Sequence, residues 1–427
     1  MSASGKRELL RSIFDAAVAA AHPATCLPPS LPPAPPHGRL IVVAAGKAAG
    51  SMAEAAEAHY HHALGSRLTG IAVTRHGYGR PTKVIEMIEA GHPVPDARGL
   101  AAAERVLTLA DGAKRGDLVL ALLSGGASAN WIAPADGVSL EDKRALTRAL
   151  LASGATIGEI NTVRKHLSRI KGGRLAARAY PAHVVSLAIS DVPGDDPSII
   201  GSGPTVPDAS TLEDARAIVH ARQLRPTAAI EAALESPANE SPKPGDPVFS
   251  QATFHIIARP AEALAAAAEV ARVAGYEPIL LGADLEGEAR EVAGQHAELA
   301  LQCARDRRRT VILSGGELTV TLKGGGRGGP NQEYALALAL ALRAQKGISA
   351  VAGDTDGTDG GGGDSSDPAG AFVDETTLQR AKAVGLDPAR FLADNDSTAF
   401  FRRIGDLLES GPTYTNVNDL RAIIVDT

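Results

Sequence analysis

Leu40-Ile41-Val42-Val43-Ala44-Ala45-Gly46-Lys47-Ala48-Ala49-Gly50-Ser51 is the stretch from which the rest of the chain can be read. Six uninterrupted apolar residues suit a strand buried on both faces. The glycine and small residues after them suit a tight turn into a helix over 47–62. The pattern recurs. Leu122-Leu123 leads into Ser124-Gly125-Gly126-Ala127-Ser128, and Ile312-Leu313 leads into Ser314-Gly315-Gly316-Glu317. Around these turns the chain alternates. Strands are expected over 71–74, 84–90, 118–123 and 184–189, with helices over 97–111, 139–152 and 156–179. The rhythm resumes with strand 253–258, helix 260–274, strand 278–282, helix 286–306 and strand 310–314. Helix 330–345, strand 348–352, helix 398–410 and strand 420–425 close the chain. Such alternation argues for α/β sheets, largely parallel or mixed, flanked by helices. In 317–322, Leu318, Val320 and Leu322 alternate with Thr319, Thr321 and Lys323, which predicts a hairpin strand with one solvated face.

A chain of 427 residues is too long for one ordinary core, so two domains are expected. Pro237, Pro242, Pro244, Gly245 and Pro247 mark a junction. The expected division is a larger domain over 1–240 and a smaller one over 241–427, with the last helix and strand free to pack back on the first. An amphipathic helix over 6–21 precedes a proline-rich connector containing Pro28, Pro29, Pro32, Pro33, Pro35 and Pro36.

Composition excludes several classes. Aromatic residues are 3% of the chain, which leaves little scope for stacking platforms that hold single-stranded nucleic acid. The net charge of −6 argues against a binder of phosphate backbones. Cys26 and Cys303 form no CxxC pair and read as free thiols, against a disulfide framework or a zinc site. No apolar run approaches the ~20 residues of a membrane span, and the N-terminus lacks a signal-peptide core. The expectation is a cytoplasmic protein, monomeric or homodimeric, with no nucleic-acid or membrane partner.

Glycine at the carboxyl end of a buried strand lets backbone N–H groups approach an anion, and a following helix N-terminus favours phosphate. Gly46, Ser124, Gly125, Gly126, Ser128, Ser314, Gly315, Gly316 and Glu317 are therefore candidates for holding a nucleotide. No run matches GxxxxGK[ST] or GxGxxG, which excludes a Walker-type loop and counts against a standard dinucleotide site. Lys47 sits where a helix begins, and a cation there opposes the helix dipole unless an anion is present. The segment 161–174 gathers Arg164, Lys165, His166, Arg169, Lys171 and Arg174 around an apolar stripe. Asn161, Arg164 and Lys165 are candidates for a substrate carboxylate.

Two acidic loops follow strands. Asp191 comes just after 184–189. Asp354, Asp356 and Asp359 come after 348–352 and precede the glycines 360–363. A carboxylate after a buried strand is well placed to hold Mg²⁺ or a hydroxyl. The loop from Asp354 fails the EF-hand pattern, since Asp359 replaces the sixth-position glycine and Ser365 the twelfth-position glutamate. A mobile loop that closes on Mg–nucleotide is expected instead. Gly324-Gly325-Gly326-Arg327-Gly328-Gly329-Pro330 sets one arginine among glycines, from which it can reach a phosphoryl group.

Taken together, GKAAGSM, LLSGGASA, EINTVRKHLSRIKGGRLA, SDVPGDDPSIIGSGPTVPD, SGGELTVTLKGGGRGGPNQE, AGDTDGTDG and GPTYTNVNDLRAIIV resemble the glycerate 2-kinase family, whose C-terminal part is called MOFRL. They span 46–425. The resemblance implies two α/β domains with the active site in the cleft between them. It implies transfer of the ATP γ-phosphoryl group to the 2-hydroxyl of D-glycerate, giving 2-phosphoglycerate and ADP. The family's lysine falls on Lys47 and its arginine on Arg327. Tyr414 stands where the family's turn has glycine. The expected catalytic set is Lys47, Arg327 and Asp191, with Mg²⁺ on Asp354 or Asp191. The alternatives are an NAD(P)H-dependent hydroxypyruvate reductase, a label the missing dinucleotide motif does not support, and a non-catalytic metabolite-binding protein.

Overall fold

The computed structural model describes residues 1–360 and 364–426, so glycines 361–363 of the acidic loop lie outside the described residues. Residues 26–257 form one compact unit, and 1–25 with 258–427 form another. The expected boundary at 240/241 precedes the last strand of the first of these.

In the 26–257 unit the strands are β1 (Leu40–Ala45), β2 (Leu68–Arg75), β3 (Ile85–Ala90), β4 (Leu118–Leu123), β5 (His183–Ile189) and β6 (Ala252–Ala258). Their order is β3-β2-β1-β4-β5-β6. β1 runs parallel to both β2 and β4, and β4 runs parallel to β5. Every residue of β1 and β4 is buried, as continuous apolar runs require when helices cover both faces. The sheet reverses direction of growth between β1 and β4, and ligands of open α/β sheets bind outside the strand ends at such a point.

The other unit holds β7 (Glu277–Leu280), β8 (Thr310–Ser314), β9 (Ile348–Asp354), β10 (Gly370–Val373), β11 (Leu407–Leu408) and β12 (Asp419–Val425). The order is β11-β10-β9-β12-β8-β7. The final strand β12 inserts antiparallel between β8 and β9, which makes this sheet mixed. The N-terminal helix Ala3–Ala21 belongs to this unit. It buries Leu10, Ile13, Phe14 and Ala17, and Thr415 donates a hydrogen bond to the carbonyl of Ala21.

Three local expectations differ from the structure. The helix expected over 156–179 is two, Ile157–His166 and Arg174–Ala179. Gly172 and Gly173 take positive φ between them, and their N–H groups donate to Ser202 and Gly203 instead of to a helix. The hairpin strand expected over 317–322 reduces to one bridge, Glu288 to Thr319. The Glu288 carboxylate takes the N–H and hydroxyl of Thr321, so that segment spends its donors on a side chain. The helix expected to reach 410 stops at Ile404, where Gly405 takes a left-handed conformation.

A buried carboxylate pair fixes the start of the helix Pro330–Leu342. Asp359 accepts the backbone N–H groups of Asn331 at 3.0 Å and Gln332 at 2.8 Å. The Asn331 side-chain amide donates to Asp359 and, at 2.6 Å, to Asp419. Burial and the nearby Asp419 charge push the Asp359 carboxyl from 3.8 up to about 7.

Two outcomes follow. Phe14→Ala should lower unfolding free energy by about 3–5 kcal/mol, read from the denaturant midpoint, because it empties a fully buried ring site. The second concerns pH. An unfolded Asp359 ionises near 4 and the folded one near 7. Between those values the native state therefore holds a proton the unfolded chain has lost, and this group's contribution to stability falls as pH rises. His296, lowered to about 4 by burial and the Arg421 charge, acts in the opposite direction between about 4 and 6.5. The difference between wild type and Asp359→Asn isolates the first effect. The variant should gain on wild type as pH rises from about 4 to about 7 in denaturant unfolding, and the difference should level off above that.

Candidate active site

The turns after β1 and β4 are built as one piece. The Lys47 N–H donates to the Gly125 carbonyl at 2.8 Å, and the Ala48 N–H donates to Ser124 Oγ at 2.9 Å. Gly46, at φ +117°, has no room for a Cβ against Ser124. Lys47, Ser124, Gly125 and Gly126 therefore meet at the switch point, with the half-buried Lys47 opening the helix Ala49–Leu64. Asp191 lies at the same sheet edge, past the end of β5, which is β4's parallel neighbour.

Ser128 links this turn to the basic segment. Its hydroxyl is 2.7 Å from that of Ser202, and the Ser202 hydroxyl donates to Asn161 Oδ1 at 3.4 Å. Arg164 reaches the Ser128 carbonyl at 3.4 Å. Asn161 and Arg164 thus join the turn. Lys165 does not, because its ammonium pairs with the buried Asp208 at 3.3 Å. The structure adds a residue the sequence reading did not single out. Lys171 is fully buried and donates to the Ser128 carbonyl at 2.9 Å. Lys143, also buried, donates to the carbonyl of Leu167 at 2.6 Å. The only signals for Lys171 were its place before Gly172-Gly173 and the density of cations around it.

These cations act on one another. Burial first, then the charges of Arg164 and Lys143, holds the Lys171 ammonium well below its usual range. Burial, Arg164 and Arg174 do the same to Lys143. Burial lowers Arg174 to about 10, although Asp208 and Glu240 pull the other way. An anion beside the Ser128 end of the turn would relieve that repulsion and restore the charged forms. The cluster is accordingly receptive to a phosphate or carboxylate.

In the other unit, Ser314-Gly315-Gly316 follows β8 and packs back to back with the turn after β7. The Gly315 N–H donates to Gly282 at 2.8 Å, and a Cβ on Gly316 (φ +88°) would strike the backbone of Leu285. Glu317 is exposed beside it. The glycine-rich segment is held by its own amides. Those of Lys323 and Gly324 donate to Asn395 Oδ1, that of Gly326 to the Asp394 carbonyl, and that of Arg327 to Asp396. The Arg327 side chain is exposed and pairs with Asp367 at 2.7 Å. Asp354 ends β9 directly across from Asp419, and its carboxylate accepts the Asp356 N–H at 2.9 Å. Asp356 in turn accepts the N–H and hydroxyl of Thr358, so the acidic loop begins as two successive turns.

Among the described residues, no group of three or more His, Cys, Asp or Glu is set to hold a metal. Mg²⁺ on a nucleotide needs less, since one or two carboxylates complete a shell otherwise made of phosphate oxygens and water. Asp354 and Asp191, each half-buried at a strand's carboxyl end, fit that demand. Among the described residues, no helix is long and apolar enough to cross a membrane. Neither Cys26 nor Cys303 is joined in a disulfide among the described residues.

Two family models match the chain, a domain of unknown function (DUF4147) over 9–235 and the MOFRL family over 310–419. A protein of Agrobacterium vitis named as a hydroxypyruvate reductase is 49% identical, over 98% of this chain and 94% of its own. The D-glycerate 2-kinase of Thermotoga maritima is 42% identical, over 90% of this chain and 89% of its own. A crystal structure of a glycerate kinase from Thermotoga maritima superposes with a TM-score of 0.87 at 39% identity, covering 99% of this chain and all of that one. With both models met in order, and with such identity across nearly its whole length, the chain belongs to the glycerate 2-kinase family that carries the MOFRL domain.

Proposed function

We propose that this protein is a glycerate 2-kinase, transferring the γ-phosphoryl group of ATP to the 2-hydroxyl of D-glycerate and releasing 2-phosphoglycerate and ADP. The observation that carries the reading is the pair of interlocked turns at the switch point, with Lys47 and a cluster of buried cations beside Ser128. That arrangement suits anionic substrates, and the relatives named glycerate kinase act on the substrates it would take. The absent dinucleotide motif weighs against hydride transfer.

The chemistry follows from positioning and charge. The bond from the γ-phosphorus to the β,γ-bridging oxygen breaks, and one to the glycerate 2-oxygen forms. The 2-hydroxyl proton passes to Asp191. Lys47 and the backbone N–H groups of the Ser124–Gly126 and Ser314–Gly316 turns hold phosphate oxygens. Arg327 leaves Asp367 to stabilise charge on the transferring group. Asn161 and Arg164 hold the glycerate carboxylate, while Lys165 serves Asp208 instead. Mg²⁺, when bound, would neutralise charge on the β- and γ-oxygens, with Asp354 as its protein ligand and Asp191 as the second candidate. The protein reads as cytoplasmic, a monomer or homodimer, with D-glycerate and ATP as its partners.

Purified protein with ATP, Mg²⁺ and D-glycerate, followed by ³¹P NMR, should show glycerate-dependent 2-phosphoglycerate. 3-Phosphoglycerate would refute the regiochemistry. No product, with NADH oxidised when hydroxypyruvate is supplied, would refute the kinase. Arg327→Ala should lower kcat by roughly 10³-fold or more, and Lys47→Ala by about 10²–10³-fold, both with unchanged circular dichroism. Near-normal turnover in either variant would remove that residue from the mechanism.

A further inference from the structure

β12 carries a cation in its middle. Arg421 is 1% exposed, with β8 on one side and β9 on the other. A buried guanidinium is costly unless its donors are met, and well-packed apolar residues often serve stability as well or better. Here the donors are met in one specific way. Nε donates to Ser314 Oγ at 3.1 Å, and one terminal nitrogen donates to Asp419 at 3.0 Å. The other terminal nitrogen donates to the carbonyl of Gly315 and, at 3.1 Å, to that of Gly316. The backbone N–H of Asp419 adds a second donor to the Gly316 carbonyl at 3.3 Å.

Three acceptors of that fork belong to a single turn. In a trans peptide the C=O and the following N–H point in opposite directions. Holding the Gly315 and Gly316 carbonyls on the guanidinium therefore turns the N–H groups of Gly316 and Glu317 away from it. Two successive amides aimed the same way at the end of a strand form an anion-binding concavity. Such donors act best when fixed before the charge arrives. A methionine or leucine at 421 could fill the space but could not hold the two carbonyls.

We propose that Arg421 is the positioning residue of the Ser314–Gly316 turn, fixing the Gly316 and Glu317 N–H groups for the phosphates of ATP. The proposal rests on the reading of this turn as a nucleotide-holding element. Asp419 aligns the fork and shares Asn331 with Asp359. One chain of polar contacts thereby joins the turn to the helix that begins directly after the Arg327 segment.

The test uses the full-length protein. Arg421→Lys keeps the charge and loses the fork. Asp419→Asn/Arg421→Met removes both charges, so no orphaned carboxylate is left to unfold the strand. ATP and D-glycerate dissociation constants are measured by calorimetry far below each variant's melting temperature, alongside kcat and both KM values. Both variants should bind ATP at least tenfold more weakly while D-glycerate affinity stays within twofold. A purely structural role would lower the melting temperature and leave ATP affinity of the folded protein unchanged, which overturns the proposal. Gly315→Ala separates the two levels of the argument, because a Cβ there would press on Ala283 and distort the turn. Weak ATP binding in Gly315→Ala with normal binding in the Arg421 variants would leave the turn as the phosphate site and remove Arg421 from its control. Normal binding in all of them would overturn both.

Discussion

At the carboxyl ends of β1 and β4 two backbones pass closer than a side chain permits. Gly46 sits against Ser124, and a Cβ on Gly126 would lie 2.9 Å from the His92 ring. Most of the site in the 26–257 unit depends on that approach. It allows the Lys47 and Ala48 N–H groups to find partners on the β4 turn, so the turn is tied to the neighbouring backbone and cannot relax alone. Parallel strands with continuous apolar faces make the approach possible, because they bring both ends to one edge in register, Ala45 beside Leu123. Helices supply the cover. Their contact residues are largely alanine, as with Ala102, Ala103 and Ala110 or Ala267, Ala268 and Ala271. Small side chains let helices lie close to a sheet in a chain with few aromatic rings.

The two glycine turns solve one problem by different means. In the 26–257 unit, backbone and hydroxyl groups of adjacent loops fix the turn. In the other unit the sheet is mixed, and β12 inserts antiparallel beside β8. On that side the neighbouring strand therefore starts where β8 ends and has no outgoing loop to lend, while on the other side the turn after β7 accepts the Gly315 N–H. A long side chain from within β12 supplies the missing contacts. Only arginine carries enough donors in a fixed plane to meet a hydroxyl, a carboxylate and two carbonyls together.

Sequence reading reached the elements whose determinants are local. The apolar runs of β1, β4, β5 and β8, and the turns after three of them, fall within a residue or two of their observed places. Lys47 was legible because a buried strand, a glycine and a cation follow one another directly. The misses share a cause. The break at 167–173 arises because the Arg169 amide donates to Ala133, those of Ile170 and Lys171 to Ser168 Oγ, and those of Gly172 and Gly173 to Ser202 and Gly203, which the local pattern of Val163, Leu167 and Ile170 cannot reveal. The Leu318–Lys323 alternation is genuine, but a distant Glu288 takes the donors a partner strand would need. The N-terminal helix was recognisable as amphipathic, yet its buried face does not say that Phe14 meets Gly353 near the end of β9. Lys171 looked like one cation among several and Arg421 like one more residue of the last strand, and only tertiary partners distinguish them.

That distinction carries chemical weight, because the two buried cations face opposite kinds of surroundings. Arg421 has Asp419 and a full set of acceptors, so its charge is neutralised inside the fold and works on backbone orientation. Lys171 has one carbonyl and two cationic neighbours, so burial and repulsion hold its ammonium well below its usual range. An anion placed beside such a group would favour its charged form. The side-chain environment thus assigns different tasks to two residues that burial alone would class together. One spends its donors on holding two backbone carbonyls, and the other sits among cations with a carbonyl for its partner.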